Sequence, residues 1–296
     1  MIAAPPSAPT CTAQVPRFAV IGNPVAHSRS PQIHQMFARQ TGRALQYGLL
    51  PAPAGGFADT ARAFFDEGGC GLNVTVPFKH EAFALAGGRL SDRARLAGSV
   101  NTLWMRAGQL HGCNTDGVGL VADLRRLGVA LEGARLLMVG AGGAACGVLQ
   151  PLAEAGCASI HIVNRTAARA HALAAQWLRA TGAAVPKVTA GGLDEAHIGG
   201  PWDVVINATS SSLGDTAPAL GGGLYAPGAL AYDMMYGAQA TPFIRQAQAD
   251  GAAHCADGLG MLVGQAAESF YIWHGVRPNV APVLAALRAA LATPPA

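Results

Sequence analysis

The chain has 296 residues, of which 51% are hydrophobic and 12% are charged. This balance is typical of a folded globular protein with one large domain or two ordinary ones, and it excludes disorder over most of the chain. The net charge of +3 comes from scattered arginines, with Arg125-Arg126 as the only adjacent basic pair. No binding surface for nucleic acid or a membrane is therefore expected.

The six cysteines are widely spaced without a Cys-x-x-Cys pair, and the nine histidines form no ligand pair with them. Neither a metal site such as structural zinc nor a disulfide framework is expected. Residues 1–16 are rich in Ala and Pro but lack the basic start and apolar core of a secretory signal, so we interpret them as a disordered extension. No stretch approaches the roughly 18 apolar residues of a membrane span, which favours a cytoplasmic location.

From residue 17 onward, short apolar runs alternate with helical stretches, the pattern of parallel α/β units. A first series of strands is predicted over 18–21, 47–50, 71–76, 103–105 and 109–112. The last two flank Ala107-Gly108 and predict a hairpin. Ser30-Pro31 predicts an N-cap followed by proline at the first helical position.

A second series of strands follows a candidate linking helix over 115–127. These strands are predicted over 135–139, 159–163, 204–207 and 230–234. Each one ends in a loop of small or polar residues, which is where open α/β sheets bind their ligands. The stretch 258–273 has the apolar spacing of a long helix.

A glycine-rich loop follows the strand 135–139 and precedes a helical run. Its members are Gly140, Ala141, Gly142, Gly143 and Ala144. The glycines allow a tight turn and a close approach of the backbone to a pyrophosphate, and the helix N-terminus faces the negative charge. With a strand on either side of this unit, a dinucleotide site is favoured over a structural turn.

The residues after the strand 159–163 bear on the choice between NAD and NADP. An NAD site places an acidic residue there, which accepts a hydrogen bond from the ribose 2′-hydroxyl. This chain has Asn164-Arg165-Thr166, with Arg169 three residues on. Cations at a helix start are mildly unfavourable unless an anion pairs with them, and a 2′-phosphate would be such an anion. The sequence therefore predicts NADP as the cofactor.

Only two of the 20 basic residues are lysines, Lys79 and Lys187. A partly desolvated lysine exchanges a proton at working pH, which an arginine does not, and Asp116 is the leading candidate for a partner of Lys79. A solvated lysine and a helix-capping aspartate are the competing interpretations. Hydroxyls of Ser28 and Ser30, between a strand and a helix, could hold a substrate carboxylate; capping explains Ser30 but not Ser28.

Nine sequence motifs occur in the order found in shikimate dehydrogenases, and the chain resembles that family over about residues 17–285. The motifs are GNPVAHSRSP at 22–31, NVTVPFK at 73–79, AGSVNT at 97–102, NTDG at 114–117, GAGGA at 140–144, NRT at 164–166, NATS at 207–210, YDMMY at 232–236 and DGLGML at 257–262.

The resemblance implies NADP-dependent, reversible reduction of 3-dehydroshikimate to shikimate, in the pathway to chorismate and the aromatic amino acids. It implies an α/β fold of two domains with the active-site cleft between them. Residues 17–116 and 258–296 would form a substrate-binding catalytic domain with a mainly parallel sheet. Residues 117–257 would form a Rossmann NADP-binding domain inserted within it.

The resemblance also implies roles for single residues. The pair Lys79 and Asp116 would carry the proton transfer. The substrate carboxylate would be held by Ser28, Ser30 and Tyr236. The ring hydroxyls would be lined by Asn73, Thr75, Lys79, Asn101, Asp116 and Gln265. In addition to the loop 140–144 and the residues Asn164, Arg165, Thr166 and Arg169, the cofactor would contact Thr209, Met234 and Gly258.

The chain departs from the common family pattern at Ala145-Cys146, where many members have Ser-Arg, and at Cys113, where an aspartate is common. Two alternatives stay open. A quinate/shikimate dehydrogenase that prefers NAD is disfavoured by the residues 164–166, and a non-catalytic NADP-binding sensor is disfavoured by the retention of Lys79 and Asp116. A monomer or a homodimer is expected.

Overall fold

The computed structural model describes residues 15–182, 186–209 and 211–292. The disordered extension predicted over 1–16 lies, apart from its last two residues, outside the described residues. The strands are β1 (Arg17–Gly22), β2 (Gln46–Pro51), β3 (Gly69–Val74), β4 (Thr102–Arg106), β5 (Gln109–Cys113), β6 (Arg135–Val139), β7 (Ser159–Val163), β8 (Lys187–Gly191), β9 (Trp202–Asn207), β10 (Tyr225–Asp233) and β11 (His254–Asp257).

Ten α-helices connect or follow these strands in the described part of the chain. They are α1 (Ser30–Thr41), α2 (Phe57–Asp66), α3 (Lys79–Ala86), α4 (Asp92–Ala97), α5 (Asp116–Arg126), α6 (Gly143–Glu154), α7 (Ala167–Thr181), α8 (Pro242–Ala249), α9 (Leu259–His274) and α10 (Val280–Ala292). The predicted α/β class is thereby confirmed.

The chain divides into two compact units. Unit 1 takes in the chain through Gly119 together with Val263–Ala286, and unit 2 takes in Leu120–Leu262 together with the chain from Leu287 onward. The sequence predicted domain boundaries at 116/117 and 257/258. It also placed all of residues 258–296 in the substrate domain. The chain from Leu287 belongs to unit 2 instead, and there Arg288 forms two hydrogen bonds with Asp257, at 2.5 and 2.7 Å.

Unit 1 is built on a five-stranded sheet in the order β2-β1-β3-β4-β5. The first three strands of this order run parallel, and β4 and β5 form the predicted antiparallel hairpin. In the register of β1 with β3, Ile21 lies opposite Val74. The two strands therefore end side by side, which brings the loops that follow them to one edge of the sheet.

Unit 2 is built on a six-stranded sheet in the order β11-β10-β9-β6-β7-β8, with every pair parallel. From the β8 edge this order is 3-2-1-4-5-6 in the unit's own strand numbers, which is the Rossmann order. The chain reverses its winding direction between β6 and β9. Loops after these strands therefore flank the crevice in which such sheets bind ligands.

Each unit has its own hydrophobic core. In unit 1 one side of the sheet packs against α2 and α3 through residues such as Leu72, Phe57 and Phe78, all at most 1% exposed. In unit 2 the strand β6 is buried on both faces, because Leu136 and Met138 face one cluster and Leu137 and Val139 face another. Continuous apolar runs such as β6 are expected for parallel strands covered by helices on both sides.

Three local predictions need correction. The strand predicted over 71–76 ends at Val74, because the chain turns at Thr75, whose carbonyl accepts a hydrogen bond from the Phe78 amide at 3.0 Å. Helix α1 begins at Ser30 with Arg29 as its N-cap residue, so Ser30 is not the N-cap. Strands β8 and β11 were not predicted; they are the short, partly polar edge strands of the second sheet.

No helix in the described part of the chain is long and apolar enough to cross a membrane. The same residues hold no group of three or more His, Cys, Asp or Glu side chains arranged for a metal ion. Cys113, Cys146, Cys157 and Cys255 are free thiols, and Cys70 is disulfide-bonded. With four free thiols among six cysteines, a framework of several bridges within the chain is excluded.

Candidate active site

Lys79 and Asp116 form a direct ion pair in unit 1. Lys79 Nζ donates a hydrogen bond to Asp116 Oδ2 at 2.5 Å, and the two side chains are 27% and 9% exposed. Lys79 is the first residue of α3, where a cation is unfavourable next to the helix N-terminus, whereas Asp116 begins α5, where a carboxylate is favourable. The lysine thus depends on its carboxylate partner, and the solvated-surface interpretation of Lys79 does not hold.

Asn101 fixes the other oxygen of the carboxylate. Its Nδ2 donates to Asp116 Oδ1 at 2.8 Å and to Thr115 Oγ1 at 2.9 Å, and it lies 3.3 Å from Gln265 Oε1. Backbone hydrogen bonds hold Asn101 between β3 and β5, and the Lys79 carbonyl accepts from the adjacent Val100 amide at 2.9 Å. The predicted residues Lys79, Asn101, Asp116 and Gln265 therefore belong to one network.

Asn73 is joined to this network from the end of β3. Its Nδ2 donates to Ser269 Oγ at 3.0 Å and lies 3.3 Å from the Asn101 carbonyl, while its Oδ1 accepts from the Tyr47 hydroxyl at 2.7 Å. Asn73 is 5% exposed, and both ends of its amide are satisfied inside the protein. Burial raises the pKa of Tyr47 strongly, against a hydrogen bond with Ser30 that lowers it.

The serine turn before α1 is compact. Ser28 Oγ donates to Ser30 Oγ at 3.1 Å and accepts from the Ser30 amide at 3.3 Å. This contact supplies the structural reason for Ser28 that capping alone did not give. Tyr236, predicted to share the carboxylate with these serines, belongs to unit 2, where it is half-buried after β10.

Thr75 is half-buried just beyond β3, and its amide donates to the Ile21 carbonyl at 3.0 Å. Its hydroxyl is different from the groups above, because it takes part in no hydrogen bond among the described residues. A half-buried hydroxyl without a protein partner, four residues before Lys79, is available to a ligand.

The glycine-rich loop of unit 2 has the geometry of a tight turn. Gly140 has φ +112°, a conformation that side chains other than glycine rarely adopt, and a β-carbon there would meet the Thr209 methyl at 2.9 Å. Gly142 is the N-cap residue of α6, which has no side-chain cap. Gly258 packs directly against the Met234 carbonyl, so these two predicted cofactor residues are neighbours.

Unit 2 has a cavity of about 380 Å³, whose lining includes residues that follow β7 and β9. It is lined by five of the predicted cofactor residues, which are Asn164, Arg165, Thr166, Arg169 and Thr209. Its remaining lining residues are Leu193, Ser211, Thr216, Ala217, Pro218 and Ala219.

The charge of this cavity is unbalanced. Arg165 and Arg169 are exposed, and neither guanidinium has an acidic partner in the part of the chain that the structure describes. Thr166 is the N-cap residue of α7, yet its side chain accepts no capping hydrogen bond. Two unpaired guanidiniums and a free hydroxyl at a helix N-terminus have the chemistry that a phosphate requires.

The two departures from the family pattern have different surroundings. At the first, Ala145 is fully buried and Cys146 is half-buried, with its pKa raised by burial. At the second, the thiol of Cys113 is buried and receives hydrogen bonds from Ser91 Oγ at 3.2 Å and Arg93 Nε at 3.1 Å. An acceptor is thus kept at position 113, directly before the turn that carries Asp116.

Sequence reasoning missed Tyr47 and Ser269 as parts of the site. Ser269 is fully buried and its hydroxyl lies within 3.3 Å of Asn73, Thr102 and Thr115. It follows Gln265 by four residues, so the helical repeat of α9 places both on one face and could have identified it. For Tyr47 the sequence pattern indicated only a strand residue.

Known domain families match most of this chain. The models of three domain families match the chain: shikimate dehydrogenase substrate binding domain over residues 20–103, shikimate / quinate 5-dehydrogenase over 123–213, and shikimate 5'-dehydrogenase C-terminal domain over 258–288.

Two similar relatives are NADP(+) shikimate dehydrogenases. The protein of Bordetella petrii is 70% identical, over 94% of this chain and 96% of its own length. The protein of Cupriavidus necator is 55% identical, over 93% of this chain and 94% of its own length. A solved structure of shikimate 5-dehydrogenase from Thermus thermophilus, in complex with NADP(H) and shikimate, is 33% identical with a TM-score of 0.81, and covers 93% of this chain and 100% of that one.

Proposed function

Because the chain belongs to the shikimate dehydrogenase family, we propose that it catalyses the reversible, NADP-dependent reduction of 3-dehydroshikimate to shikimate. The observation that carries this proposal is the half-buried ion pair of Lys79 with Asp116. Its carboxylate is fixed on the other side by Asn101, so the lysine is held in one place before any ligand binds. Fixed geometry of this kind is what general acid–base catalysis requires.

In the proposed reaction Lys79 handles the proton at the reacting oxygen. During reduction its ammonium group gives a proton to the oxygen of the carbonyl, and during oxidation the neutral amine takes the proton from the hydroxyl. Asp116 keeps the amine in position, and its carboxylate balances the positive charge when the lysine is an ammonium group. When bound, the cofactor would supply the hydride as NADPH in reduction and accept it as NADP⁺ in oxidation. Such a positioned acid–base group typically increases the rate by a factor of ~10²–10⁴.

The residues of unit 2 would hold the cofactor. The loop 140–144 and the N-terminus of α6 would face its pyrophosphate, with Thr209, Met234 and Gly258 beside that loop. Arg165, Arg169 and Thr166 would bind the 2′-phosphate, and this proposal is supported by the absence of an acidic partner for either arginine within the described residues. No acidic residue stands at 164–166 to accept from a free ribose hydroxyl, which disfavours NAD.

The residues of unit 1 would bind the substrate. Ser28 and Ser30 would present their hydroxyls for its carboxylate, to which Tyr236 of unit 2 is the third proposed partner. Asn73, Thr75, Asn101 and Gln265 would line the ring hydroxyls, with Lys79 and Asp116 among them. The substrate-domain bounds 17–116 and 258–296, the cofactor-domain bounds 117–257, a cytoplasmic location and the monomer or homodimer state stay predictions.

The test is an assay of shikimate oxidation with NADP and with NAD, in which quinate is run beside shikimate and NADPH or NADH absorbance is followed. We expect shikimate with NADP to be much the fastest combination. Equal rates with the two cofactors, or quinate oxidised as fast as shikimate, would favour the quinate/shikimate alternative. Folded protein that produces no absorbance change would favour the non-catalytic sensor.

A further inference from the structure

Gly22, the last residue of β1, leaves a hollow that the side chain of Thr75 fills. A β-carbon added to Gly22 would clash with the Thr75 methyl Cγ2, and it would also lie 3.3 Å from the Val76 carbonyl oxygen. The backbone of Gly22 has no positive φ, so its own conformation does not demand glycine. The reason for glycine at this position is therefore the space that it leaves for Thr75.

The two segments cannot move apart to relieve such a clash without losing hydrogen bonds. The Thr75 amide donates to the Ile21 carbonyl at 3.0 Å, and the Asn23 amide donates to the Val76 carbonyl at 3.0 Å. These bonds lie on either side of the contact between Gly22 and Thr75. The spacing of the two backbones is thus set, and the free variable is the rotamer of Thr75.

A threonine β-carbon carries one methyl and one hydroxyl group in staggered positions, so the direction of one determines the direction of the other. With the methyl in the hollow over Gly22, the hydroxyl is directed elsewhere, and it makes no hydrogen bond among the residues that the structure describes. This differs from Asn73 and Asn101, whose polar atoms are engaged inside the protein.

We propose that Gly22 is a positioning residue, which fixes the rotamer of Thr75 so that the Thr75 hydroxyl is free to bind a ring hydroxyl of the substrate. This inference rests on the proposed function, since Thr75 is a substrate residue only under that proposal. It adds a residue that touches no ligand and acts through Thr75 alone.

The test is a double-variant cycle of Gly22→Ala and Thr75→Ser. Gly22→Ala alone should raise the KM for shikimate about tenfold, the effect of one lost hydrogen bond, with little change in kcat. Thr75→Ser removes the methyl that the alanine would strike. Adding Gly22→Ala to Thr75→Ser should therefore change the KM by less than about twofold. An equal effect of the alanine in both backgrounds would overturn the proposal.

Two further variants protect this test from a folding defect. Gly48→Ala is the matched control, because Gly48 lies in the adjacent strand β2 and a β-carbon there meets nothing within 4 Å, so its kinetics should equal wild type. Thr75→Val keeps a methyl in the hollow and removes only the hydroxyl, which has no partner inside the protein. It should keep the unfolding midpoint and raise the KM; an unchanged KM contradicts the proposal.

Shikimate binding by calorimetry is measured on the same proteins. A wild type that binds shikimate without oxidising it defeats the proposed function, while the binding constants of the cycle still decide the role of Gly22. A wild type that neither binds nor oxidises shikimate overturns both. NADPH binding, followed by its fluorescence, should be the same in all variants, and its loss in Gly22→Ala would assign that glycine a general structural role instead.

Discussion

The polar groups around Lys79 and those around Arg165 are satisfied to very different extents. In unit 1 the carboxylate of Asp116 has both oxygens engaged, and the buried amides of Asn73 and Asn101 are bonded at both ends. In unit 2 the guanidiniums of Arg165 and Arg169 line a cavity without an acidic partner among the described residues. The groups around the ion pair are thus satisfied within the protein, apart from the Thr75 hydroxyl, whereas the cavity of unit 2 keeps charged donors without an acidic partner in the described chain.

The difference matches the role that is proposed for each site. A group that transfers a proton must be held in a fixed position, and hydrogen bonds within the protein provide this before substrate arrives. An anion site must keep its donors unused, because a guanidinium already paired with a carboxylate would have to break that pair to bind a phosphate. Substitutions in unit 1 should therefore change turnover or substrate binding, whereas those in the cavity should change cofactor affinity.

The largest effect is expected from Lys79→Ala. Turnover should fall by ~10²–10⁴, because the proton at the reacting oxygen loses its carrier. NADPH binding, measured by fluorescence titration, should stay within about twofold of wild type. Lys187→Ala is the matched control, since Lys187 is the other lysine and is exposed on β8. A loss of NADPH binding in Lys79→Ala would mean that this residue supports the fold rather than the reaction.

The double variant Arg165→Ala/Arg169→Ala should raise the dissociation constant of NADP by roughly 10²-fold, since hydrogen bonds to charged groups contribute about 1.5–3 kcal/mol each. The affinity for NAD, which has no 2′-phosphate, should be nearly unchanged. Calorimetric titration with both cofactors measures this. Arg179→Ala, in the last turn of the same helix α7, should alter neither affinity. Parallel losses for NADP and NAD would contradict the 2′-phosphate site.

The third prediction is that unit 1 is more sensitive to low pH than unit 2. Burial lowers the pKa of His34 in unit 1 to about 3, with a further contribution from His274, and lowers that of His274 to about 4. In the unfolded state the two histidines bind protons near pH 6.5, so the stability that their neutral forms contribute to the folded state should be fully present above that pH. For each histidine, the free energy of unfolding should fall by up to roughly 1.4 kcal/mol per pH unit as the pH drops toward 3 or 4.

Hydrogen exchange resolved by peptide measures this loss. His161, buried in unit 2, also has a lowered pKa from burial, but both of its ring nitrogens have hydrogen-bond partners, whereas those of His34 have none. Amides of β1 to β3 should therefore lose protection at a higher pH than those of β6 to β9. His34→Phe, which cannot titrate and keeps the aromatic packing, should weaken the acid sensitivity of unit 1. Equal sensitivity in the variant contradicts this account.

The smallest effect is expected from Tyr47→Phe. It removes the hydroxyl that donates to Asn73 Oδ1 but keeps the ring stacked on His34 at 4.3 Å. A neutral hydrogen bond contributes about 0.5–1.5 kcal/mol, so the KM for shikimate should rise roughly two- to tenfold with little change in kcat. Tyr225→Phe in unit 2 is the control and should leave the steady-state constants at wild-type values. A fall in kcat alone would place Tyr47 in the chemical step.

Sequence patterns were sufficient where local chemistry decides the structure. Strands β6 and β7 have the predicted bounds, and the glycine-rich loop lies between a strand and a helix as predicted. The predicted family is confirmed by the similarity to known shikimate dehydrogenases. The pairing of Lys79 with Asp116, 37 residues apart, was predicted because both residue types have a defined part in proton transfer.

The rest depends on contacts that no local pattern contains. Tyr47 meets Asn73 across 26 positions, and Ser269 meets Asn73 across 196, so only the folded sheet and α9 bring them together. Strands β8 and β11 are five and four residues long with polar members, and they exist because a neighbouring strand offers them hydrogen bonds. Gly22 gave no sign of its proposed role, because that role depends on the space that a missing side chain leaves for Thr75.

The scarcity of lysine gives the chain a built-in chemical reporter. Each unit carries one primary side-chain amine, Lys79 half-buried against Asp116 and Lys187 exposed at the edge of the second sheet. An amine-directed acylating reagent thus labels two distinguishable side-chain positions, and the ratio of the two peptides in a mass spectrum compares their reactivity within one molecule. Lys187 serves as the internal standard, so protection of Lys79 by a bound ligand becomes measurable without any mutation.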